Sequence, residues 1–145
     1  MNWNKPYRGI FAILSSFIFL FGLSCKDEYK SSIPYVGVYY DFQIANHNGL
    51  TVMGGGEFFP NLGYGGIWVV HGIDDVFYAY DATCPYEANP LVIVDCDGGV
   101  GTCTKCGTKY FMLDGGYVLS ETGPGTEQLR SYSATSSGGR IYLRN

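Results

Sequence analysis

Two short cysteine segments hold the residues of this chain that are best suited to metal or redox chemistry. The first reads Cys84-Pro85-Tyr86, and the second, Cys103-Thr104-Lys105-Cys106-Gly107, follows after a gap of sixteen residues. Thiolates bind zinc and iron–sulfur clusters, and a Cys-x-x-Cys spacing suits either. We therefore predict that Cys84, Cys103 and Cys106 are metal ligands. Tyr86 is a poorer candidate, because a phenol binds a metal only when ionised, which ordinarily needs a pH of about 10.

The same cysteines are also suited to a disulfide. Cys103 and Cys106 could pair locally, or Cys84 could pair with either of them and tie the two segments together. A bridge across about twenty residues stabilises a fold by about 3 kcal/mol in the loop-entropy model. A redox-active dithiol is a third interpretation, although such pairs usually lie at a helix N-terminus, whereas Cys106 leads into a turn at Gly107. The residues alone leave these alternatives open.

Few other side chains could complete a metal site. Glu87 could supply a carboxylate and Cys96 a fourth thiolate. Cys96, however, lies at the tip of a predicted hairpin, which places Cys103 several residues away across the strand pair. We therefore predict that Cys96 is a partly buried free thiol or a disulfide partner. The two histidines, His47 and His71, lie outside both segments and are predicted to be surface or sheet-face residues.

The first two dozen residues predict secretion. Lys5 and Arg8 give a basic start, and an apolar run follows over residues 10–21. That run is too short to span a bilayer comfortably, which takes about 20 residues. A basic start and a short apolar run are typical of a secretion signal. We predict a signal peptide over residues 1–24.

The end of this signal resembles the lipobox of bacterial lipoproteins, Gly22-Leu23-Ser24-Cys25. The resemblance implies acylation of Cys25, a polar tether over residues 25–33 and attachment to a membrane through more than one acyl chain, which gives stable anchoring. Lys26-Asp27-Glu28 resembles the signal that sends some lipoproteins to the cell surface, or is a solvated linker. The expected location is the cell envelope, as an outer-membrane lipoprotein that is surface-exposed if that signal operates.

Composition favours a single all-β domain. The 145 residues include 21 Gly, 13 Tyr and 9 Phe, without a long stretch of good helix formers. The roughly 120 residues that follow the signal suit one domain, which we place at 34–145. Nine basic residues face thirteen acidic ones, for a net charge of −4. Because the chain has no basic patch, we expect no nucleic-acid partner.

Runs of aromatic and β-branched residues predict antiparallel strands joined by short turns. Turn signals occur at 72–75, 97–99, 114–116 and 136–139, and residues 45–66 are predicted to be irregular. The predicted strands cover residues 33–44, 67–71, 76–81, 91–96, 108–113, 129–135 and 140–143.

The two cysteine segments resemble the cluster-binding motifs of Rieske [2Fe–2S] domains. In that family the motifs read Cys-x-His and, after about sixteen residues, Cys-x-x-His-Gly, and two Cys hold one iron while two His hold the other. Cys84 and Cys103 match the Cys positions, whereas Tyr86 and Cys106 stand at the His positions. The chain also resembles a variant group of secreted Rieske-like lipoproteins with Cys-Pro-Tyr and Cys-x-x-Cys-Gly motifs.

Further features agree with the family outside these segments. They are the aromatic pair Tyr110-Phe111 after the second motif, a Gly-Pro loop at Gly123-Pro124, and a Leu-x-x-Tyr strand at 129–132. The resemblance covers roughly residues 65–145. The segment 33–64 is less similar to the family, and we expect it to form an added edge hairpin.

The resemblance implies a fold and a function. The expected fold is an all-β, Rieske-like antiparallel sandwich or barrel with a small two-loop cysteine subdomain at about 82–113. The expected function is iron–sulfur electron transfer to a redox partner protein, with altered cluster ligation, and not enzymatic catalysis. Exchanging a His ligand for Cys106 would make the centre more anionic and lower its reduction potential. The alternative is a non-redox envelope or surface binding module in which a disulfide or zinc replaces the cluster.

Overall fold

The computed structural model describes residues 31–145. Residues Ser31–Asn145 form one compact unit, which contains the two hydrophobic cores and all the strands given below. The predicted signal peptide, the predicted lipidation site Cys25 and residues 26–30 of the predicted tether lie outside the described residues. In the part that the structure describes, no helix is long and apolar enough to cross a membrane.

Ten strands and three single-turn 3₁₀ helices form the described chain, and the predicted all-β class is confirmed. In chain order the elements are β1 (Tyr39–Gln43), 3₁₀ turns at Ile44–Asn46 and Asn48–Leu50, β2 (Gly56–Phe59), β3 (Ile67–His71), a third 3₁₀ turn at Ile73–Asp75, β4 (Phe77–Asp81), β5 (Val94–Asp97), β6 (Val100–Cys103), β7 (Lys109–Phe111), β8 (Tyr117–Val118), β9 (Ser131–Ser137) and β10 (Arg140–Arg144).

Six strands form one antiparallel sheet in the order β1-β10-β9-β4-β3-β2. The sheet curls until its two edges face each other: the ring centroids of Phe42 in β1 and Phe59 in β2 lie 4.7 Å apart. The expectation that residues 33–64 form an added edge hairpin is wrong. β1 pairs with β10 and β2 pairs with β3, so the two strands of this segment lie at opposite edges.

The central strands β3 and β4 contribute to two separate cores, because side chains alternate between the faces of a strand. Ile67, Val69 and Ala79 point into the curled sheet, and Val70 and Tyr80 point to its other face. We call the first set the barrel core and the second the cysteine core. The barrel core contains Val38, Phe42, Leu50, Ile67, Val69, Phe77, Ala79, Tyr132, Ile141 and Leu143; the cysteine core contains Val70, Tyr80, Cys84, Val94, Cys103, Tyr110, Met112 and Leu129.

The remaining strands form a small antiparallel sheet in the order β5-β6-β7-β8, which extends to Val118. Its first hairpin turns at Gly98 and Gly99, whose φ angles of 57° and 81° are both left-handed. Two-residue hairpin turns of this kind need positive φ at both positions, which glycine adopts without strain. The hairpin predicted from Asp97-Gly98-Gly99 is therefore confirmed.

Residues at the end of the predicted tether contact the domain. Ile33 is buried, and its carbonyl accepts a hydrogen bond from Arg130 Nη1 at 2.9 Å. Ser31 Oγ donates to Glu127 Oε1 at 3.0 Å. The packed structure therefore includes residues on the N-terminal side of residue 34.

Three strands lie outside the predicted strand ranges, and one predicted strand was too long. One of the three, β6, is the return strand of the predicted hairpin at 97–99. β2 falls in the segment 45–66 that was predicted to be irregular, and β8 follows the turn at 114–116. In the predicted strand 33–44, only the five residues of β1 are extended in a sheet.

Candidate metal site

A buried carboxylate fixes the course of the chain into the first cysteine loop. Asp81, the last residue of β4, is fully buried. Its oxygens accept hydrogen bonds from the backbone N–H groups of Tyr64 at 2.7 Å, Gly65 at 3.2 Å and Thr83 at 3.0 Å, and from the Tyr132 hydroxyl at 3.0 Å. Four donors thereby compensate the loss of water around this charge. The chain leaves β4 in one defined direction, immediately before Cys84.

Backbone hydrogen bonds then join the two cysteine loops. The N–H of Cys84 donates to the Val92 carbonyl at 3.1 Å, and Thr83 forms an isolated bridge with Ile93. The Ile93 carbonyl accepts from the Thr104 N–H at 3.1 Å and from the Thr104 hydroxyl at 3.0 Å. Ile93 therefore holds the first loop against the second.

The second loop is a tight turn between β6 and β7. The N–H of Gly107 donates to the Cys103 carbonyl at 3.2 Å, and the N–H of Cys103 donates to the Thr108 carbonyl at 2.9 Å. Gly107 has φ of +74°, a conformation that favours glycine. The turn reverses the chain so that Cys103 and Cys106 face the same side.

The predicted ligands Cys84, Cys103 and Cys106 are brought together. Their Sγ atoms all lie within 4.8 Å of one another, and the Sγ atoms of Cys84 and Cys106 are 3.7 Å apart. Cys84 is 0% exposed and Cys103 2%, whereas Cys106 is half-buried. The described cysteines are free thiols in this structure. Three sulfurs at these separations form a soft donor set that is open on the Cys106 side.

Two hydroxyl groups contact the sulfurs. Tyr110 Oη lies 3.5 Å from Cys84 Sγ, and Thr108 Oγ1 lies 3.2 Å from Cys106 Sγ. The Gly125 N–H donates to Thr108 Oγ1 at 3.0 Å. Thr108 Oγ1 can therefore accept from the Gly125 N–H and at the same time donate its own proton to Cys106 Sγ.

The sequence prediction missed both hydroxyls, although a signal was present. Thr108 and Tyr110 stand two residues apart at the start of the strand predicted at 108–113, directly after the second cysteine segment, and residues at even spacing share one face of a strand. Alternation along that strand therefore places both hydroxyls on one face, beside the ligand motif.

The surroundings shift the pKa values of the Cys84 and Cys106 thiols in opposite directions. Burial raises the pKa of Cys84 to about 11, against which the Tyr110 hydroxyl acts as a hydrogen-bond donor. Burial also raises the pKa of Cys106, but hydrogen bonds from Thr108, then from Cys103 and Cys84, more than offset it and leave the pKa below its ordinary value. Burial, followed by the contact with Cys84, raises the pKa of Tyr110. Cys106 is therefore a more acidic thiol than Cys84.

The other candidate ligands lie apart from the three sulfurs. Tyr86 is 57% exposed. The Glu87 carboxylate pairs with Lys105 Nζ at 2.5 Å. Cys96 stands opposite Gly101 in the β5–β6 hairpin, two residues along the strand from Val94, which is the partner of Cys103. Cys96 is a partly buried free thiol, which is one of the two states predicted for it.

Both histidines lie at the curled sheet, His71 within a strand and His47 packed against one. His71, at the end of β3, places Nδ1 2.9 Å from the Leu50 carbonyl and Nε2 3.1 Å from Asp75 Oδ1. His47 packs on Phe42 with 4.7 Å between ring centroids. Neither belongs to the group formed by the three cysteines.

The side chains do not fit the ligand set of a Rieske [2Fe–2S] cluster. That cluster takes two thiolates on one iron and two imidazoles on the other. Here a thiol at Cys106 and a solvent-exposed phenol at Tyr86 stand at the two imidazole positions. The site offers three converging thiols, which suit a thiophilic metal.

Comparison with known proteins identifies the fold. No protein-family model matches the chain, and no curated protein matches it in sequence. The ferredoxin of carbazole 1,9a-dioxygenase from Nocardioides aromaticivorans IC177 is 14% identical, and the match covers 76% of this chain and 98% of the ferredoxin with a TM-score of 0.50. A chain from the reduced complex between oxygenase and ferredoxin in carbazole 1,9a-dioxygenase is 19% identical over 79% of this chain, with a TM-score of 0.52.

The second match spans only 30% of that longer chain. Both are likenesses of fold. The predicted all-β, Rieske-like fold with a two-loop cysteine subdomain is confirmed.

Proposed function

We propose that this protein is an electron-transfer protein of Rieske-like fold with altered metal ligation. The observation that carries the proposal is the convergence of Cys84, Cys103 and Cys106 from two segments of the chain, with all sulfur separations within 4.8 Å. The fold of a ferredoxin supports the same role. The protein acts as a carrier and not as an enzyme, and it works with a redox partner protein.

The donor set supports a centre of low reduction potential. Thiolates donate more negative charge to a metal than imidazoles do, and imidazole ligation is what raises the potential of Rieske centres. Cys84 and Cys103 lie in an apolar core and exclude water from one side of the site. Thr108 and Tyr110 hold the sulfurs by hydrogen bonds from that side.

The position of the site supports exchange of electrons with a partner. Cys106 is half-buried, and Tyr86 and Leu91, which follow Cys84 in the chain, are 57% and 88% exposed. A partner surface could therefore approach the sulfurs closely. We place this exchange at the cell envelope, with the domain tethered to an outer membrane through acyl chains on Cys25.

Metal analysis of the purified protein tests the proposal. Residues 26–145 include the whole compact unit Ser31–Asn145 and would be prepared without oxygen. Iron, sulfide, zinc and free thiols are then measured, followed by a potentiometric titration of the visible spectrum. Bound iron with a reversible spectral change supports electron transfer. No bound metal and fewer than four free thiols would contradict it.

The distance between two of the sulfurs favours a second function, in which a disulfide takes the place of the metal. Cys84 Sγ and Cys106 Sγ lie 3.7 Å apart, which is close enough for rotation of the side chains to form a disulfide. In an oxidising compartment this bridge would join the two loops. The domain would then be a non-redox binding module of the envelope or the cell surface.

A further inference from the structure

We infer that the three thiols form a mononuclear site, which binds one thiophilic divalent cation through Cys84, Cys103 and Cys106 and leaves a fourth position open to solvent. The inference rests on the proposed metal centre and specifies its kind. It departs from the two-iron cluster that the resemblance implies.

The spacing of the sulfurs agrees with one ion. In a tetrahedral site with metal–sulfur bonds of about 2.3 Å, neighbouring sulfurs lie about 3.8 Å apart. The Sγ atoms of Cys84 and Cys106 are 3.7 Å apart, and the most distant of the three pairs is within 4.8 Å. Small side-chain rotations would therefore bring all three sulfurs to one metal.

The same spacing disagrees with two ions. Each iron of a [2Fe–2S] cluster carries two terminal ligands, so three thiolates must be divided between the two irons. Two of the three sulfur pairs would then join different irons and would be longer than one tetrahedral edge. In the Rieske arrangement Cys84 and Cys103 hold one iron and Cys106 stands at a ligand position of the other, so Cys84 Sγ and Cys106 Sγ, now 3.7 Å apart, would have to move apart.

The side chains around the sulfurs support three ligands and not four. Thr108 and Tyr110 each contact one sulfur, Cys106 Sγ and Cys84 Sγ, as neutral hydroxyl groups that act as hydrogen-bond partners. Glu87 is held by Lys105. Tyr86 is exposed, and Cys96 stands opposite Gly101. The remaining position therefore falls to water or another small ligand, on the side where Cys106 reaches the surface.

Local charges also suit a single divalent ion. Three thiolates and one divalent cation leave one negative charge. The Cys106 N–H points to Cys103 Sγ at 3.5 Å, and the Thr108 hydroxyl points to Cys106 Sγ at 3.2 Å. These donors stabilise negative charge on sulfur. Thr108 is therefore a positioning residue for Cys106.

Cobalt titration tests the inference, because Co²⁺ reports thiolate coordination in its absorption spectrum. Reduced, metal-free residues 26–145 would be titrated with Co²⁺ in an oxygen-free buffer. We expect saturation at one ion per chain, sulfur-to-cobalt charge-transfer absorption and the strong visible bands of tetrahedral cobalt. Added imidazole should shift the visible bands by entering the open position. Saturation at two ions, or octahedral bands, would overturn the inference.

Alanine variants identify the ligands. Cys106→Ala should weaken Co²⁺ binding by more than about a hundredfold, since even loss of a partner of a ligand weakens metal affinity by roughly 10- to 100-fold. Cys96→Ala is the matched control, because Cys96 is also a half-buried free thiol, and it should bind Co²⁺ like the parent. Circular dichroism would verify that both variants are folded. Thr108→Val, which keeps all three thiols, should show an intermediate loss if Cys106→Ala does not fold.

Incubation with Fe²⁺ and sulfide separates this inference from the proposed function. Two irons and two sulfides per chain, with the spectrum of a cluster, would overturn the mononuclear site and leave electron transfer standing. Uptake of one iron without sulfide supports both. Failure to bind Co²⁺ or iron when all thiols are reduced would overturn both and favour the disulfide module.

Discussion

The two cores of this domain share a strand pair but differ in chemistry. The barrel core is built from aliphatic and aromatic side chains of the curled sheet and of the segments beside it. The cysteine core contains Cys84 and Cys103, with Cys96 and Cys106 packed against it, and two buried tyrosines. The hydroxyl of Tyr110 contacts the thiol of Cys84. The hydroxyl of Tyr80 is buried and has no hydrogen-bond partner within residues 31–145.

The difference between the two cores indicates which of them stabilises the fold and which of them contains the reactive groups. Burial of apolar surface stabilises the barrel core, and such burial is nearly insensitive to pH or oxidation. The cysteine core contains groups whose hydrogen bonds are weak or unmade, and a buried unsatisfied polar group costs about 1–3 kcal/mol. We expect the barrel core to dominate stability and the cysteine core to dominate reactivity.

The largest effect is expected from a cavity in the barrel core. Leu143 is fully buried in β10, and Leu→Ala changes in cores destabilise by about 2–5 kcal/mol. We expect Leu143→Ala to lower the free energy of unfolding by an amount in this range, as measured by urea denaturation. The folded fraction should still bind Co²⁺ like the parent. A loss of cobalt binding equal to that of Cys106→Ala would contradict the separation of the two cores.

Asp81→Asn tests the connection between the regions. The Asn side chain has one acceptor oxygen, so its NH₂ group would face some of the four donors that now reach the carboxylate. Hydrogen bonds to charged groups contribute about 1.5–3 kcal/mol each, and we expect a loss of about 3 kcal/mol in the same denaturation experiment. Unlike Leu143→Ala, this change should also weaken Co²⁺ binding. Asp81 accepts a hydrogen bond from the Thr83 N–H, and Thr83 directly precedes the ligand Cys84, so loss of that bond should displace the ligand. Unchanged stability would show that the network is not essential.

Two tyrosine variants sharpen the contrast inside the cysteine core. Tyr80→Phe removes an unpartnered buried hydroxyl and should raise the free energy of unfolding by about 1 kcal/mol. Tyr110→Phe removes a hydroxyl that contacts Cys84 and should lower it by about 1 kcal/mol or less. Because the Tyr110 hydrogen bond opposes the raised pKa of Cys84, Tyr110→Phe should raise the pKa of Cys84 further. A pH titration of the ultraviolet absorbance of the thiolates would measure that change, and equal shifts in stability for both variants would contradict the contrast.

A gradual loss of stability is expected when the pH of the reduced, metal-free protein is made alkaline. Burial raises the pKa values of Cys84 and Cys96 from 9.0 to about 11. The unfolded chain therefore loses these protons first, so their contribution to stability is complete below pH 9 and is lost as pH rises to 11. Urea denaturation between pH 8 and 11 should show this decline. Cys96→Ala should reduce it, and an unchanged decline in that variant would show that Cys96 does not contribute.

The sequence predicted those parts of the fold that depend on local pattern. Alternating β-branched and aromatic residues indicated β3 and β4, and Asp97-Gly98-Gly99 indicated the β5–β6 turn. The convergence of three cysteines followed from motif spacing. These features depend on residues close together in the chain, for which periodicity and turn chemistry are informative.

Features that depend on distant pairing were not predictable in this way. β2 is a different case: it pairs with the next strand, β3, and was missed because its glycine-rich start is typical of a loop. The segment 33–64 was assigned to one edge, although β1 and β2 pair with strands that are far apart in sequence. The acceptor role of Asp81 needs Tyr132, which lies 51 positions away. Only the folded arrangement reveals such partners.

The shared strand pair β3–β4 has a consequence for cooperativity. Neighbouring residues of the same strands, such as Val69 and Val70, belong to different cores. Both cores therefore depend on the same backbone hydrogen bonds of β3 and β4, and neither core can open completely without disturbing them. A ligand that binds only the native state stabilises that state by mass action. Occupancy of the three thiols should therefore slow hydrogen exchange of backbone amides in β3 and β4, although the ligand touches neither strand. Hydrogen exchange in β3 and β4 would then show whether the three-thiol site is occupied, although neither strand contributes a ligand to it.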